Sequence, residues 1–149
     1  MKKNLFKTMA VLVSLLAVCA TVKADTDKPI EVSQLPQTAQ QTLKTYFSNR
    51  KVALAKVESG VFEKNYDVIF TNGDKIEFNS KGSWTEIQCK QSQVPSGLVP
   101  SQISSYVKTN YPNVRITEIE IDHKEYEVKL SNGLEITFNK KYQVIDIDD

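Results

Sequence analysis

The chain has 149 residues, 25% charged and 40% hydrophobic, with a formal net charge of +1. That length suits one domain with room for a real core. Nothing in this balance argues for nucleic acid, which wants a basic stripe.

The N-terminus has the three parts of a secretory signal. Lys2, Lys3 and Lys7 form a basic head, Met9 to Ala20 is apolar except for Ser14, and Val22-Lys23-Ala24 offers small or modest side chains to a peptidase. We expect residues 1–24 to be removed. The apolar run of about 12 residues is too short for an uncleaved span of ~20. Leu16-Ala17-Val18-Cys19 resembles a lipobox, although Val18 stands where a small residue is wanted, so a lipoprotein anchored through Cys19 is the alternative. The leader holds four Lys and no acid, so the remaining chain carries 15 basic and 18 acidic residues. Cys89 is then the sole cysteine, which leaves no internal disulfide and suits a small buried hydrophobe better than a nucleophile.

The remaining domain, 25–149, reads as two copies of one unit, about 30–90 and 98–149. Tyr66-Asp67-Val68-Ile69-Phe70-Thr71-Asn72-Gly73 aligns with Tyr126-Glu127-Val128-Lys129-Leu130-Ser131-Asn132-Gly133, and the match runs on through Phe78 with Phe138 and Ile87 with Ile147. Upstream, Leu35-Pro36 aligns with Val99-Pro100, with extra residues of the first copy falling around Ser59 to Lys64, where a hairpin absorbs them. Pro36 and Pro100 stand at expected first helical positions. Apolar residues at helical spacing follow them: Ala39, Leu43, Tyr46 and Phe47, then Ile103, Tyr106, Val107 and Tyr111. The expected helices cover about 36–48 and 100–111. Four strands follow each, with Asn72-Gly73 and Asn132-Gly133 as hairpin turns. Residues 91–97 link the copies. The fold class is α+β: an antiparallel eight-stranded sheet with both helices on one face.

Strand alternation assigns the faces. Tyr66, Val68, Phe70, Ile76, Phe78, Ile87, Val128, Leu130, Ile136, Phe138, Ile145 and Ile147 are the expected core. If Ile145 and Ile147 point inward, the repeat turns Thr85, Ile87 and Cys89 inward and Trp84 outward. A one-residue bulge at Gly82-Ser83 would reverse Trp84.

Tandem units of a helix and four strands behind a signal peptide resemble the PepSY-like proteins of Gram-negative periplasms, which look like β-lactamase-inhibitor protein in architecture. The resemblance rests on Leu35-Pro36 and Val99-Pro100, on the hairpins YDVIFTNGDKIEF and YEVKLSNGLEITF, and on the endings GSWTEIQ and YQVIDID. It implies a concave sheet used as a binding surface, without a known ligand. No inhibitory loop can be matched residue by residue.

Little points to catalysis. His123 is the one histidine and stands at a hairpin tip beside Asp122 and Lys124, with no nucleophile elbow. No HExxH, CxxC or phosphate-binding glycine loop is present, so no cofactor or metal is expected. The ending Asp146-Ile147-Asp148-Asp149 reads as a solvated acidic edge, because calcium needs oxygens from several segments.

The open sheet face is the candidate site. The second copy should display Glu118, Glu120, Asp122, Glu127, Lys129, Glu135, Asp146 and Asp148. The first should display Leu54, Lys56, Glu58, Asp67, Ile69, Lys75, Glu77, Trp84, Glu86 and Gln88. We expect Trp84, Leu54 and Ile69 to form an apolar centre, with Glu86, Glu118, Glu120, Glu127 and Asp146 steering a basic partner. The sequence therefore reads as an exported, periplasmic or secreted, non-catalytic binding module, an inhibitor or regulator of a protein or peptide. A structural or lipid-anchored envelope protein is the competing reading. Neither nucleic acid nor a membrane span after cleavage is expected.

Overall fold

The computed structural model describes residues 26–149; the expected leader and Cys19 lie outside them. Each proline opens its helix from one position earlier than expected. Pro36 (φ −52°, ψ 145°) caps helix α1, Gln37–Tyr46, and Pro100 (φ −51°, ψ 135°) caps α2, Ser101–Asn110. The fixed proline φ stays extended at the boundary while the Pro36 carbonyl accepts the Gln40 N–H at 3.1 Å. Ala39 and Leu43 of α1, and Ile103 and Val107 of α2, are the buried stripe.

Four strands follow each helix. They are β2 (Val52–Ser59), β3 (Lys64–Phe70), β4 (Lys75–Phe78) and β5 (Trp84–Gln88), then β6 (Ile116–Ile121), β7 (Glu125–Leu130), β8 (Glu135–Asn139) and β9 (Val144–Asp148). A further strand, β1 (Thr26–Ile30), pairs antiparallel with β2, so the sheet has nine strands in chain order rather than eight. Pro29 obscures β1 in the sequence. Proline is tolerated there because β1 is an edge.

Pairing carries one apolar row straight across the sheet. Ala55, Val68, Ile76, Ile87, Ile119, Val128 and Ile136 face one another in turn, and all are buried. The helices lie on this face: Phe47 stacks on Phe70 at 5.2 Å and Tyr106 meets Phe138 edge-on at 5.5 Å.

The turns differ in detail from a two-residue Asn-Gly loop. Only Gly73 (φ 89°) and Gly133 (φ 93°) take positive φ in their pairs. Asn72 and Asn132 instead accept the backbone N–H two residues on, at 3.0 and 3.1 Å. These are three-residue hairpins with glycine at the left-handed position.

Alternation slips at the last strand of each set of four. Glu77 faces Glu86 but Phe78 faces Trp84, so Thr85 is the extra residue of a bulge. The Thr85 hydroxyl donates to the Glu77 carboxylate at 3.4 Å, which places it with the open face. Trp84 therefore turns to the helix side, half-buried against the core. This corrects the expectation that Trp84 belongs to the open face. Likewise Thr137 faces Asp146 and Phe138 faces Val144, leaving Ile145 as the extra residue, 50% exposed. Ile147 keeps the core-side phase opposite Ile136, yet it is 45% exposed because no strand lies beyond β9. The other expected core residues are buried.

Three destabilisations follow. Phe138→Ala should cost ~3–5 kcal/mol in urea unfolding, the range for emptying a core aromatic site. Gly133→Ala should cost about 1–2 kcal/mol from its left-handed backbone alone, since nothing lies within 4 Å of its new methyl group. Gly82→Ala should cost more, because its methyl would also sit 2.7 Å from the Pro36 Cβ.

Candidate functional site

The face opposite the helices is built from two rows of paired side chains. The first is Leu54, Ile69, Lys75, Gln88, Glu118, Lys129, Glu135 and Asp148. The second is Lys56, Asp67, Glu77, Glu86, Glu120, Glu127, Thr137 and Asp146, in the same strand order. Seven of the eight expected site residues thus share this face. Leu54 and Ile69 are direct partners at one margin. Glu86, Glu120 and Glu127 are consecutive neighbours in the second row. Glu118 lies in the first row, and Asp146 lies at the far margin. Trp84 alone lies on the helix side, although at the end of the sheet it lines a cavity with Glu77 and Glu86.

Charge is distributed unevenly along the second row. Lys56 is held by Asp27 at 2.8 Å and Glu58 at 2.7 Å, and lies 3.4 Å from Asp67. Lys75 also reaches Asp67, at 3.3 Å. Beyond these come four carboxylates in direct opposition: Glu77, Glu86, Glu120 and Glu127. Like charges paired across strands repel. Lys129, bound to Glu118 at 3.2 Å, is the one cation that the second half contributes to the two rows.

Titration records this crowding. Burial, reinforced by Asp67, raises the Glu77 pKa. Burial and then Glu86 raise that of Glu120. Burial raises Glu118 against the opposing pull of Lys129. Glu127 is pushed up to about 8 by burial and by its hydrogen bond with Glu135. Burial alone would lower Lys75 and Lys129, but Asp67 with Glu77 and Glu86, and Glu118 with Glu135 and Glu127, together outweigh it and raise both. Asp67 is deeply buried, and one of its oxygens, Oδ1, has no hydrogen-bond partner.

At one end of this face lies a cavity of about 1110 Å³. The β2–β3 turn (59–64), the β4–β5 turn (79–83) and the β6–β7 turn with Asp122 and His123 enclose it, and Glu77, Glu86 and Glu120 lie on its sheet side. Val61 and Phe62, at the β2–β3 turn, are 80% and 97% exposed. Sequence reading missed this pair, although its signal was present: extra residues in the first hairpin, two of them apolar.

The groups considered for chemistry are placed otherwise. His123 is exposed in its turn. Cys89 is fully buried, and burial raises its thiol pKa. Its sulfur accepts a 3.3 Å hydrogen bond from Arg50, which pairs with the buried Asp74 at 2.8 Å. Among the described residues no three acidic, His or Cys side chains stand close enough to hold a metal ion. No described helix is long and apolar enough to cross a membrane.

The raised carboxyls give stability a definite pH dependence. The folded chain keeps protons that the unfolded chain has released above about pH 4.5, so stability falls as pH rises from there to about 8. Tm should therefore be higher at pH 5 than at pH 8. Glu127→Gln should flatten the slope and raise stability at pH 8 by about 1 kcal/mol, after allowance for solvent screening of a half-exposed group. Calorimetry at the two pH values checks this; a Glu127→Gln protein with an unchanged slope would refute it.

Comparison with known proteins agrees with this architecture. The family described as "Putative beta-lactamase-inhibitor-like, PepSY-like" matches residues 64–146. A "putative periplasmic protein" of the DUF2874 family from Bacteroides vulgatus is 60% identical, with a TM-score of 0.82 over 85% of this chain and 99% of its own. A "putative calcium-regulated periplasmic protein" from Bacteroides thetaiotaomicron is 55% identical, with a TM-score of 0.82 and the same coverage of 85% and 99%. A third, of unknown function and also from Bacteroides vulgatus, is 40% identical, with a TM-score of 0.78 over 83% of this chain and 100% of its own. No curated protein matches the chain. With its nine-stranded open sheet and its two helices, this chain belongs to the PepSY-like family and is a periplasmic protein.

Proposed function

We propose that the chain is a non-catalytic binding module whose open sheet face takes a protein or peptide of the periplasm and so inhibits or regulates it. The observation that carries this reading is the run Glu77, Glu86, Glu120 and Glu127 in direct cross-strand opposition. The fold gains nothing from such an arrangement, since like charges there repel. A partner bearing cations would relieve it. Leu54 and Ile69 supply adjoining apolar contact, and Glu118 and Asp146 extend the field that steers approach.

Residues 1–24 act in this reading as a cleaved export signal, and 25–149 as one domain of two copies. The duplication is supported by bulges at matching places. Ala53 and Thr117 are the extra residues between β2 and β3 and between β6 and β7, as Thr85 and Ile145 are in the last strands.

Intact mass of the exported protein should begin at Asp25; a diacylated Cys19 would instead favour the envelope-anchored alternative. A photo-crosslinker at position 54 should give a discrete periplasmic adduct that one at Lys44, exposed on α1, does not give. Glu120→Gln should slow formation of that adduct, and the difference should fade at high salt. Identical adducts from both positions would refute a site on the open face.

A further inference from the structure

We propose that the cavity at the β2–β3 end of the open face is the docking groove for a partner segment that combines basic and apolar side chains, with Val61 and Phe62 as its apolar anchor. This rests on the reading of the open face as a binding surface, and it specifies both the place and the chemistry of the partner.

The argument begins with two turns that do the same structural task. The β2–β3 turn closes with the Gly60 N–H donating to the Glu63 carbonyl at 2.8 Å, and the β6–β7 turn closes with the Asp122 N–H donating to the Glu125 carbonyl at 3.0 Å. The second turn uses Asp122, His123, Lys124 and Glu125, all polar, so closure does not require apolar residues. The first places Val61 and Phe62 almost wholly in water, and neither belongs to the core. A solvent-facing aromatic that stabilises nothing in its own fold marks an interaction site.

The surroundings specify what it meets. Phe62 and Val61 line the cavity together with Glu77, Glu86 and Glu120. Three lysines also line it, but Lys64 lies over the Tyr66 ring at 5.6 Å and Lys140 over the Tyr126 ring at 5.0 Å. Glu63, Glu77, Glu86, Glu120 and Asp122 line it against Lys64, Lys81 and Lys140, so the wall carries more acid than base. A segment entering here meets apolar side chains on one side and a net-acidic wall on the other. Charge complementarity selects a basic, apolar-bearing peptide. It disfavours an anionic membrane, which the row would repel. It also disfavours a second copy, because the chain after residue 24 carries more acid than base.

Trp84 is the chain's one tryptophan and lines the same cavity, so its fluorescence reports occupancy without a label. Using the exported protein, an octapeptide of alternating Arg and Leu should change Trp84 emission saturably. The double variant Val61→Ser, Phe62→Ser should weaken that binding at least tenfold, with Tm unchanged. Peptides of alternating Arg and Ser, or Glu and Leu, should bind at least tenfold more weakly to the unaltered protein. Equal affinity in the double variant, or no response to the Arg–Leu peptide below millimolar concentration, would overturn the proposal. So would Phe62-dependent flotation with phosphatidylglycerol vesicles, or Phe62-dependent dimerisation in sedimentation. Leu54 does not line this cavity, so crosslinking from position 54 tests the broader reading separately.

Discussion

Side-chain alternation in an unbroken antiparallel meander sets the terms for everything else in this sheet. Once Ala55, Val68, Ile76, Ile87, Ile119, Val128 and Ile136 form one buried row, the intervening residues must share the opposite face. The acidic face is therefore a consequence of register as well as of composition. Sliding one strand by a single residue would bury its charges and expose its aliphatics, so the core that stabilises the fold also fixes where the carboxylates meet. Both helices lie on the apolar side, with Phe47 on Phe70 and Tyr106 on Phe138, and the other side stays open to a partner.

That arrangement carries an electrostatic cost. In the first half, Lys56 and Lys75 lie against Asp67, so burial of that carboxylate is offset by two nearby ammonium groups. The second half has Lys129 against Glu118, and Glu86, Glu120 and Glu127 in the neighbouring row have no ion pair of their own among the described residues. Glu127 responds by holding its proton to about pH 8 and sharing a hydrogen bond with Glu135. Partial protonation is the route open to a crowded carboxylate whose neighbouring cation, Lys129, is bound to Glu118. An arriving lysine or arginine would displace that proton, which links binding to pH.

Much of this was legible in the sequence. Helix positions followed from Pro36 and Pro100 and the apolar spacing after them. Core residues followed from alternation, and Leu54, Ile69 and the five acids of the expected site do share one face. The failures have local causes. Trp84 and Ile145 were misplaced because a bulge adds one residue and shifts the phase, and bulges leave little mark on composition. Ile147 was expected inside on a correct phase, but phase does not reveal that a strand is the last one. β1 was missed because Pro29 argues against a strand and only an edge excuses it. The cavity could not be read at all, since three turns distant in sequence have to meet to form it.

Both edges of the sheet bear on how a partner can bind. An open edge invites strand addition, and proteins guard against it with short strands, charge and proline. β1 is five residues long, contains Pro29, which has no N–H to donate, and carries Asp27 and Lys28. β9 is also five residues long, and its exposed Ile145 and Ile147 alternate with Asp146 and Asp148. A strand laid along β9 would place its own side chains beside those aspartates, and one laid along β1 would lose a ladder hydrogen bond at Pro29. Strand addition is thus disfavoured at each margin for a different reason. The surfaces left without such protection are the carboxylate face and the bare Val61-Phe62 tip, and these two converge on the same cavity.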